Sequence, residues 1–380
     1  MSLIASFPCF KMRPPAAAAA AARVLIAGVD GAAASPAPFG LSMFDAVQSA
    51  RHENIPVPAV DAVGNPSSPV LVAQAHFDRM MVTMEERWGA DDDCKGGTSG
   101  KGTASVIIGP ARAASVNTND SSICRATIPM ARAAHDPRVL STACPTVTLA
   151  EANWYETNQP RKDFVQLGVV AAVSDPRGRI LLTRRAAHMR SFPRAWVMPG
   201  GGLDEGESLT DCLVREVKEE TGVDVARETV RPFCLWESCY PTCGRECLEA
   251  GTGITAHYLV VFCTAQTTEK NLSKLQEQIQ LDEQETDMAV WLSAEDFTRS
   301  LGYPLGGAND VGFIPGIVPS SFSKESEQST TSSVACNLNL DDLCGIYPRG
   351  DDNCMKGIAQ GNLFMLQELL NSQGGASFVD

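Results

Sequence analysis

Residues 200–223 read GGGLDEGESLTDCLVREVKEETGV, and this stretch decides how the chain is interpreted. Within it, Glu216, Glu219 and Glu220 stand at i, i+3 and i+4, which places three carboxylates on one face of a helix. Like charges at this spacing destabilise a helix unless a cation binds among them. Hard divalent cations prefer oxygen ligands, and Mg²⁺ is usually held by a few carboxylates together with substrate phosphates. The pattern therefore indicates a site for a divalent cation.

The same stretch predicts the helix that carries these carboxylates. Apolar residues recur at Leu209, Leu213 and Val217, so the spacing predicts a helix from Leu209 to Thr221 with its apolar face on a core. Gly222 follows where a C-cap glycine is expected. The glycines at 200–202 let the backbone approach a metal ion or a phosphate closely. A solvated acidic helix face is the alternative interpretation, and the three glutamates alone would favour it.

The full spacing argues against that alternative. Gly201 is followed by five residues and Glu207, and then by seven residues and the segment REVKEETGV from Arg215 to Val223. This arrangement resembles the Nudix box of the Nudix hydrolases at every fixed position, and similar flanking segments run from about residue 164 to 297. The resemblance implies an α+β Nudix fold, a mixed β-sheet sandwiched between α-helices. We expect poorly ordered N- and C-terminal extensions around it.

The resemblance also implies a metal-dependent activity, the hydrolysis of a phosphoanhydride bond in a substrate linked to a nucleoside diphosphate. Glu216 and Glu220 would be the main ligands of Mg²⁺ or Mn²⁺, with Glu219 contributing and Gly201 offering its carbonyl oxygen. Bound metal ions neutralise developing charge and lower the pKa of an attacking water, which suits an anionic linkage and a poor nucleophile.

The remaining roles implied by the resemblance concern orientation and proton transfer. Arg215 would orient a glutamate of the box, with Glu207 as a partner, and Gly222 would close the helix. The general base differs within the family, and Glu219 is one candidate. Glu285, in a loop before a predicted strand, is another candidate, and its alternative interpretation is an ordinary surface acid.

A group of arginines precedes the box in an otherwise acidic chain. Arginine suits bidentate contact with phosphate. We expect Arg184 and Arg185 to hold substrate phosphate, because they also match the family pattern. The alternative is that part of the group only adds surface charge. The group consists of Arg177, Arg179, Arg184, Arg185, Arg190 and Arg194.

The formal net charge of −14 argues against non-specific binding of nucleic acid. The partner that the resemblance implies, a nucleotide or a capped-RNA substrate, must then be held locally. We expect no DNA and no membrane partner, and the oligomeric state stays open. No apolar run reaches the roughly 18 residues of a membrane span. The absence of a clear secretory signal predicts an intracellular, cytoplasmic protein, although residues 1–29 are also compatible with an organelle transit peptide.

Composition divides the chain into three zones. Residues 1–160 form a low-complexity N-terminal region of uncertain role, residues 161–301 the predicted Nudix hydrolase domain, and residues 302–380 a polar linker and tail with a linker at 320–333. In the first zone we predict strands at 70–75 and 105–108 and a helix at 77–88. Beyond the box helix, the domain is predicted to contain strands at 164–173, 179–183, 231–236, 257–263 and 288–292 and a helix beginning after Ser293. One helix is predicted at 362–370.

Two weaker patterns lie after the box. Four cysteines, at 234, 239, 243 and 247, crowd one segment. Zinc usually requires paired cysteines at short spacing, and a single loop would here have to supply every ligand, so reduced thiols and a zinc site both stay open. His257 stands in an apolar strand, where a histidine is usually packed and hydrogen-bonded, so we predict a structural role.

Three functions stay open from the sequence. The first is pyrophosphate hydrolysis on a methylated RNA cap, because the segments at 196–201 and 235–241 resemble a family member associated with that substrate. The second is the same chemistry on NADH, ADP-ribose or coenzyme A, although the signature SQPWPF of the NADH branch is missing. The third is a catalytically silent module that binds nucleotide. The intact carboxylates at 216, 219 and 220 argue against the third.

Overall fold

The computed structural model describes most of the predicted domain and separate segments on both sides of it. The described residues are 24–27, 34–49, 77–88, 104–110, 124–133, 144–160, 162, 164–301, 313–319, 333–343, 347 and 355–372. The strand predicted at 70–75 and the possible transit segment lie outside these residues. The linker predicted at 320–333 also lies outside them, except for its last residue.

Fourteen strands lie within the described residues. They are β1 (Val24–Ile26), β2 (Ser35–Pro36), β3 (Phe77–Trp88), β4 (Ala104–Pro110), β5 (Cys124–Ala133), β6 (Gln166–Ser174), β7 (Ile180–Arg185), β8 (Trp196–Val197), β9 (Gly200–Gly202), β10 (Arg231–Tyr240), β11 (Ala256–Gln266), β12 (Thr286–Leu292), β13 (Phe313–Pro319) and β14 (Ser333–Asn339).

Eight α-helices accompany them in the same part of the chain. They are α1 (Met43–Ser49), α2 (Pro145–Glu151), α3 (Trp154–Thr157), α4 (Leu209–Thr221), α5 (Gly244–Glu249), α6 (Leu272–Gln278), α7 (Ala294–Leu301) and α8 (Gln360–Ser372). Each strand and helix predicted between residues 164 and 301 is present, with ends that shift by a few residues.

The strands form one mixed sheet. Its order is β14-β13-β12-β7-β6-β11-β10-β5-β3-β4-β1-β2, with β8 paired to β7 and β9 paired to β6. Among these strand pairs, β6 with β11, β5 with β10 and β1 with β4 are parallel. The central strand β6 therefore lies between a parallel and an antiparallel neighbour, which makes the sheet mixed, as the sequence predicts.

Side chains of β6 alternate between two hydrophobic cores. Val169 and Ala171 pack in the core that contains the apolar face of α4. Ala172 packs in the core that contains α8 and Phe297 of α7. Because successive residues of a strand point to opposite faces, α4 covers one face of the sheet and α7 and α8 cover the other. The expected sandwich of a mixed sheet between helices is confirmed.

Local signals fix both ends of α4. The Ser208 side chain accepts from the Asp211 N–H and Asp211 accepts from the Ser208 N–H, which is a capping box. Gly222 ends the helix at φ 74°, and a Cβ at this position would lie 2.5 Å from the carbonyl oxygen of Gln278. The predicted bounds of this helix and the predicted C-cap glycine are confirmed.

The predicted helix at 77–88 is wrong, because these residues form β3. The segment is rich in Met, Glu and Arg, which favour helices, but its buried side chains at Met80, Val82 and Met84 alternate with period two. β3 pairs antiparallel with β4 and with β5. Tertiary pairing therefore overrides the local helix propensity.

Parts of both extensions belong to the sheet. From the N-terminal side, β5 pairs with β10, and from the C-terminal side β13 pairs with β12. Helix α8 fills one core with buried apolar side chains, Leu363, Phe364, Met365, Leu366 and Leu369. These segments extend the sheet and one core of the predicted domain on both sides. Among the described residues, no helix combines the length and apolarity that spanning a bilayer requires.

Candidate active site

Three carboxylates of α4, those of Glu216, Glu219 and Glu220, lie near the glycine-rich strand β9 and differ in their exposure to solvent. Glu219 is open to solvent, with 60% of its side chain exposed, whereas the side chain of Glu216 is 16% exposed. Glu220 is buried, with 6% of the residue exposed. The helix register brings the carboxylates together as the spacing predicts, and their burial increases from Glu219 to Glu220.

Arg215 connects four parts of this cluster. Its guanidinium donates to both carboxylate oxygens of Glu207, at 2.6 and 2.9 Å. One of its nitrogens also donates to Glu216 at 2.9 Å and to Glu219 at 3.0 Å. A further bond of 3.2 Å reaches the carbonyl oxygen of Gly202. The predicted pairing of Arg215 with a glutamate of the box and with Glu207 is present in this structure.

The bidentate pair acts on the charge state of both partners. The hydrogen bond from Arg215 holds the pKa of Glu207 below its ordinary value. The same bond to Glu207 raises the pKa of Arg215. Both groups are therefore charged at neutral pH, and the pair fixes the loop that precedes α4 against the helix.

Gly201 lies directly against the Glu216 carboxylate because it has no side chain. A Cβ at this position would lie 2.4 Å from a carboxylate oxygen of Glu216. Glycine is therefore required for Glu216 to approach the backbone of β9 this closely. The same contact places the Gly201 peptide beside the carboxylates, as its predicted role requires.

Among the carboxyl groups of the cluster, Glu220 has the most strongly raised pKa. Burial, together with the carboxylates of Glu285 and Glu216, raises the pKa of Glu220 to about 8. The Arg185 guanidinium and a hydrogen bond from the Gly200 backbone act in the opposite direction. Burial also raises the pKa of Glu216, against the effect of Arg215. The structure thus brings Glu285, an exposed residue of the loop before β12, into the field of the helix carboxylates.

The donor set fits a divalent cation. A buried carboxylate beside two other carboxylates is costly unless a cation compensates the charge, and Glu220 meets that description. As the side chains stand, no three Asp, Glu, His or Cys residues of the described chain are gathered closely enough to hold an ion. Arg215 donates hydrogen bonds to Glu216 and Glu219 in this arrangement. The Glu219 side chain is exposed, so it has room to turn away from Arg215.

The two adjacent arginines differ in their surroundings. Arg184 donates to Asp287 at 2.6 Å, and its guanidinium lies 5.8 Å from the centre of the Trp196 ring. Arg185 donates from Nε to the backbone oxygen of Ser191, has no ion pair with any described carboxylate, and lies close enough to Glu220 to lower its pKa. Arg185 therefore faces the site, while Arg184 is neutralised by Asp287.

Asp287 was not singled out from the sequence. It also binds Arg194 at 3.3 Å, so two of the arginines before the box share one carboxylate. It stands in the acid-rich run at 282–287, where no local signal distinguishes it from its neighbours. Only the pairing of β12 with β7 brings it to Arg184.

The cysteines at 234, 239, 243 and 247 are all buried. Burial raises the pKa of the Cys234 and Cys239 thiols well above the ordinary value, and it raises that of Cys247 to about 12. Cys239 and Cys247 pack with Phe39, Leu149 and Ile254 in a small apolar cluster. In this arrangement Cys239 and Cys247 pack as apolar core residues.

His257 is fully buried and hydrogen-bonded at both ring nitrogens. Nδ1 lies 2.5 Å from the carbonyl oxygen of Phe39, and Nε2 lies 3.1 Å from Glu237. Glu237 also accepts the backbone N–H groups of Met43 and Phe44 at the start of α1. The predicted structural role of His257 agrees with this network, which ties α1 to the domain.

Comparison with known proteins finds similarity over the segment that contains this site. Residues 165–308 match the family model described as NUDIX domain. The chain is similar to "m7GpppN-mRNA hydrolase NUDT17" of Danio rerio, at 32% identity over 46% of this chain and 59% of that protein. The Xenopus laevis protein of the same name is 33% identical over 42% of this chain and 50% of its own length.

A bacterial relative covers a shorter part of the chain. "Nucleoside triphosphatase NudI" of Enterobacter sp. (strain 638) is 32% identical over 18% of this chain and 50% of its own length. The chain thus spans about half the length of the curated relatives it matches. Together with the sheet sandwich, the domain match confirms the fold class that the sequence predicts.

Proposed function

We propose, from the match of residues 165–308 to the NUDIX domain model, that the protein is a hydrolase that cuts a phosphoanhydride bond of a nucleotide with the help of a divalent cation. The observation that carries this proposal is the buried carboxylate of Glu220, whose burial and repulsion by Glu285 and Glu216 raise its pKa to about 8. A cation is the natural complement of such a cluster.

Each site residue has a proposed role. Glu216 and Glu220 hold Mg²⁺ or Mn²⁺, Glu219 contributes once it turns from Arg215, and the carbonyl oxygen of Gly201 is the backbone ligand. When bound, the cation neutralises charge on the phosphate oxygens and makes water a better nucleophile. Arg215 positions Glu216 and Glu219 through hydrogen bonds of 2.9 and 3.0 Å.

The proton of the attacking water needs an acceptor within reach. Glu219 and Glu285 are both exposed and both near the cluster, so solvent reaches either carboxylate. Glu219 already accepts a hydrogen bond from Arg215 in this structure, so a water must displace that contact to reach the same oxygen. We therefore propose Glu285 first and Glu219 second as the general base.

The proposed substrate is a methylated cap at the end of an RNA, because the vertebrate relatives named above bear that activity in their names. The second candidate is a pyrophosphatase that acts on NADH, ADP-ribose or coenzyme A, which needs the same cluster. The catalytically silent module is the third, and the complete carboxylate set argues against it. We also propose that residues 161–301 carry the catalytic site, while segments of residues 1–160 and 302–380 complete the sheet and the core around it.

A substrate panel tests the proposed function. The full chain is assayed with a methylated cap dinucleotide, NADH, ADP-ribose and coenzyme A, in one buffer with Mg²⁺ and then with Mn²⁺. We expect the highest kcat/KM for the cap dinucleotide. A tenfold advantage for NADH, about 1.4 kcal/mol in transition-state binding, would replace the cap by the second candidate, and no turnover of any anhydride would support the silent module.

The two adjacent arginines offer a matched pair of variants. Arg185→Ala is expected to raise KM about tenfold and to change kcat less, because the phosphate contact is made in the ground state and the transition state alike. Arg184→Ala is the control, since it removes the bond to Asp287 without removing a group that faces Glu220. Michaelis–Menten kinetics on the best substrate measure both. Equal effects of the two variants on KM would contradict the assignment of Arg185 alone to the substrate phosphate.

A further inference from the structure

A cavity of about 140 Å³ lies on the side of the sheet that α8 covers. A single water needs roughly 10–15 Å³ on this measure, so the cavity has room for a larger group. Gly200 and Arg185 line it, and Gly200 precedes Gly201, the residue of β9 that lies against the Glu216 carboxylate. A substrate whose anhydride lies at the carboxylates can therefore extend past Arg185 into the cavity.

Aromatic rings and apolar side chains form much of the wall. The Phe192 and Tyr347 rings lie 6.1 Å apart at an angle of 52°, and both line the cavity. Trp236 and Phe262 line it as well. An apolar wall with ring faces suits a flat heterocycle, since stacking on aromatic side chains does not depend on a specific hydrogen-bond pattern.

A few polar groups face the same cavity. Asn362 accepts the backbone N–H of Met198 at 2.7 Å through Oδ1, so its amide nitrogen keeps two N–H donors. The N–H groups of Gln360 and Gly361, which also line the cavity, have no acceptor within α8 because they belong to its first turn. Apolar walls with a small number of placed polar groups are typical of small-molecule sites.

The loop that presents Phe192 is held in an unfavourable conformation. Phe192 has φ 53° and Arg194 has φ 65°, in the left-handed region that side chains other than glycine rarely adopt. Residues held in such conformations cluster at ligand sites, where the surrounding structure fixes them. Here Phe192 packs against Tyr240 as well as Tyr347, which fixes the orientation of its ring.

We propose that this cavity binds the base of the nucleotide substrate, and that Tyr347 and the start of α8 complete it. These residues lie outside the matched NUDIX segment of residues 165–308. The proposal rests on the proposed function, because it assigns the cavity to the same substrate. It makes the C-terminal segment a determinant of base specificity, whereas the carboxylates of α4 determine the chemistry.

Binding without catalysis tests the proposal. The full chain is titrated without metal ions with 7-methylguanosine 5′-monophosphate and with ribose 5-phosphate, which lacks the base, while tryptophan fluorescence is recorded. We expect saturable binding of the nucleotide, with ribose 5-phosphate at least tenfold weaker. Phe192→Leu and Tyr347→Leu, which keep apolar bulk but remove the ring, are each expected to weaken nucleotide binding roughly fivefold or more.

Phe313→Leu is the matched control, because Phe313 is an aromatic residue with 69% exposure outside the cavity. It should leave the affinity unchanged. Tyr347 is buried, so thermal unfolding is recorded for each variant, and Phe192, which is only half-buried, gives a second test if Tyr347→Leu does not fold. Equal binding of ribose 5-phosphate, or wild-type affinity in folded Phe192→Leu, would overturn the proposal.

The outcome is separable from that of the proposed function. The titration breaks no bond and uses no metal, so base binding can persist in a protein that hydrolyses no anhydride. Conversely, metal-dependent hydrolysis with no dependence on Phe192 or Tyr347 would leave the proposed function intact and remove the base from this cavity.

Discussion

Glu220→Gln is expected to lower kcat by on the order of 10³-fold, roughly 4 kcal/mol in the activation barrier. The substitution keeps the shape of the side chain and removes the charge that we propose holds the cation. No neighbouring carboxylate can easily take over as the ligand, because Glu220 is buried whereas Glu219 and Glu285 are exposed at the edge of the cluster. Initial rates at saturating metal and substrate measure the effect.

The same variant should gain stability in the absence of metal ions. In the unfolded chain Glu220 releases its proton near the ordinary pKa of 4.5, whereas in the folded chain burial raises that pKa to about 8. Between these values the folded state binds more protons, so the stability of the metal-free protein falls as pH rises, by up to about 1.4 kcal/mol per pH unit. The glutamine amide does not titrate, so the variant loses this part of the pH dependence.

Glu295→Gln is the control, because Glu295 is an exposed acid on α7, which covers the opposite face of the sheet from α4. It should leave both the rate and the pH dependence unchanged. Denaturant unfolding at pH 5 and pH 8 with chelator present measures the stability difference. Wild-type turnover of the Glu220→Gln protein would show that Glu220 is not a metal ligand. If stability changed with pH equally in the wild-type and Glu220→Gln proteins, the buried carboxyl group would not be the source of the pH dependence.

A chain that ends at Leu301 is expected not to fold cooperatively. It lacks α8, whose five buried side chains from Leu363 to Leu369 pack against Trp196, Trp236 and Phe262. Truncating one large buried apolar side chain costs about 2–5 kcal/mol, so losing five of them equals or exceeds the roughly 5–15 kcal/mol that a domain has in total. Thermal unfolding followed by circular dichroism shows whether a cooperative transition remains.

A single substitution makes the same test less drastic. Phe364→Ala should lower the free energy of unfolding by about 3–5 kcal/mol, since Phe364 is 2% exposed and lies 6.0 Å from Trp236 by ring centres. Leu370→Ala on the same helix is the control with a smaller effect, because Leu370 is only half-buried. A truncated chain that unfolds cooperatively near the wild-type temperature would show that residues 161–301 are stable alone.

The box helix could be predicted from the sequence because its signals are local. The capping box at Ser208, the apolar spacing of Leu209, Leu213 and Val217, and the αL glycine at 222 all act within one helix. The i, i+3, i+4 spacing of the carboxylates fixes their common face whatever the rest of the chain does. The positions of the candidate metal ligands are therefore the part of the site that can best be predicted from the sequence.

Non-local pairing explains what the sequence could not predict. The strand at Phe77–Trp88 is built from helix-favouring residues and is decided by its neighbours β4 and β5, which lie later in the chain. Arg184 and Arg185 look equivalent as a dipeptide, yet adjacent strand residues point to opposite faces. Only the register with β12 shows that Arg184 is the one that meets Asp287.

The most direct test of the account is the hydrolysis of a methylated cap dinucleotide by the full chain, with its nucleotide products resolved by chromatography. The reaction is run with Mg²⁺, with Mn²⁺, and with excess chelator followed by restoration of the cation. We expect a nucleoside monophosphate and a nucleoside diphosphate to be released only when the cation is present. Turnover should recover fully when the cation is restored. Unchanged turnover in excess chelator would contradict the metal-dependent chemistry assigned to Glu216, Glu219 and Glu220.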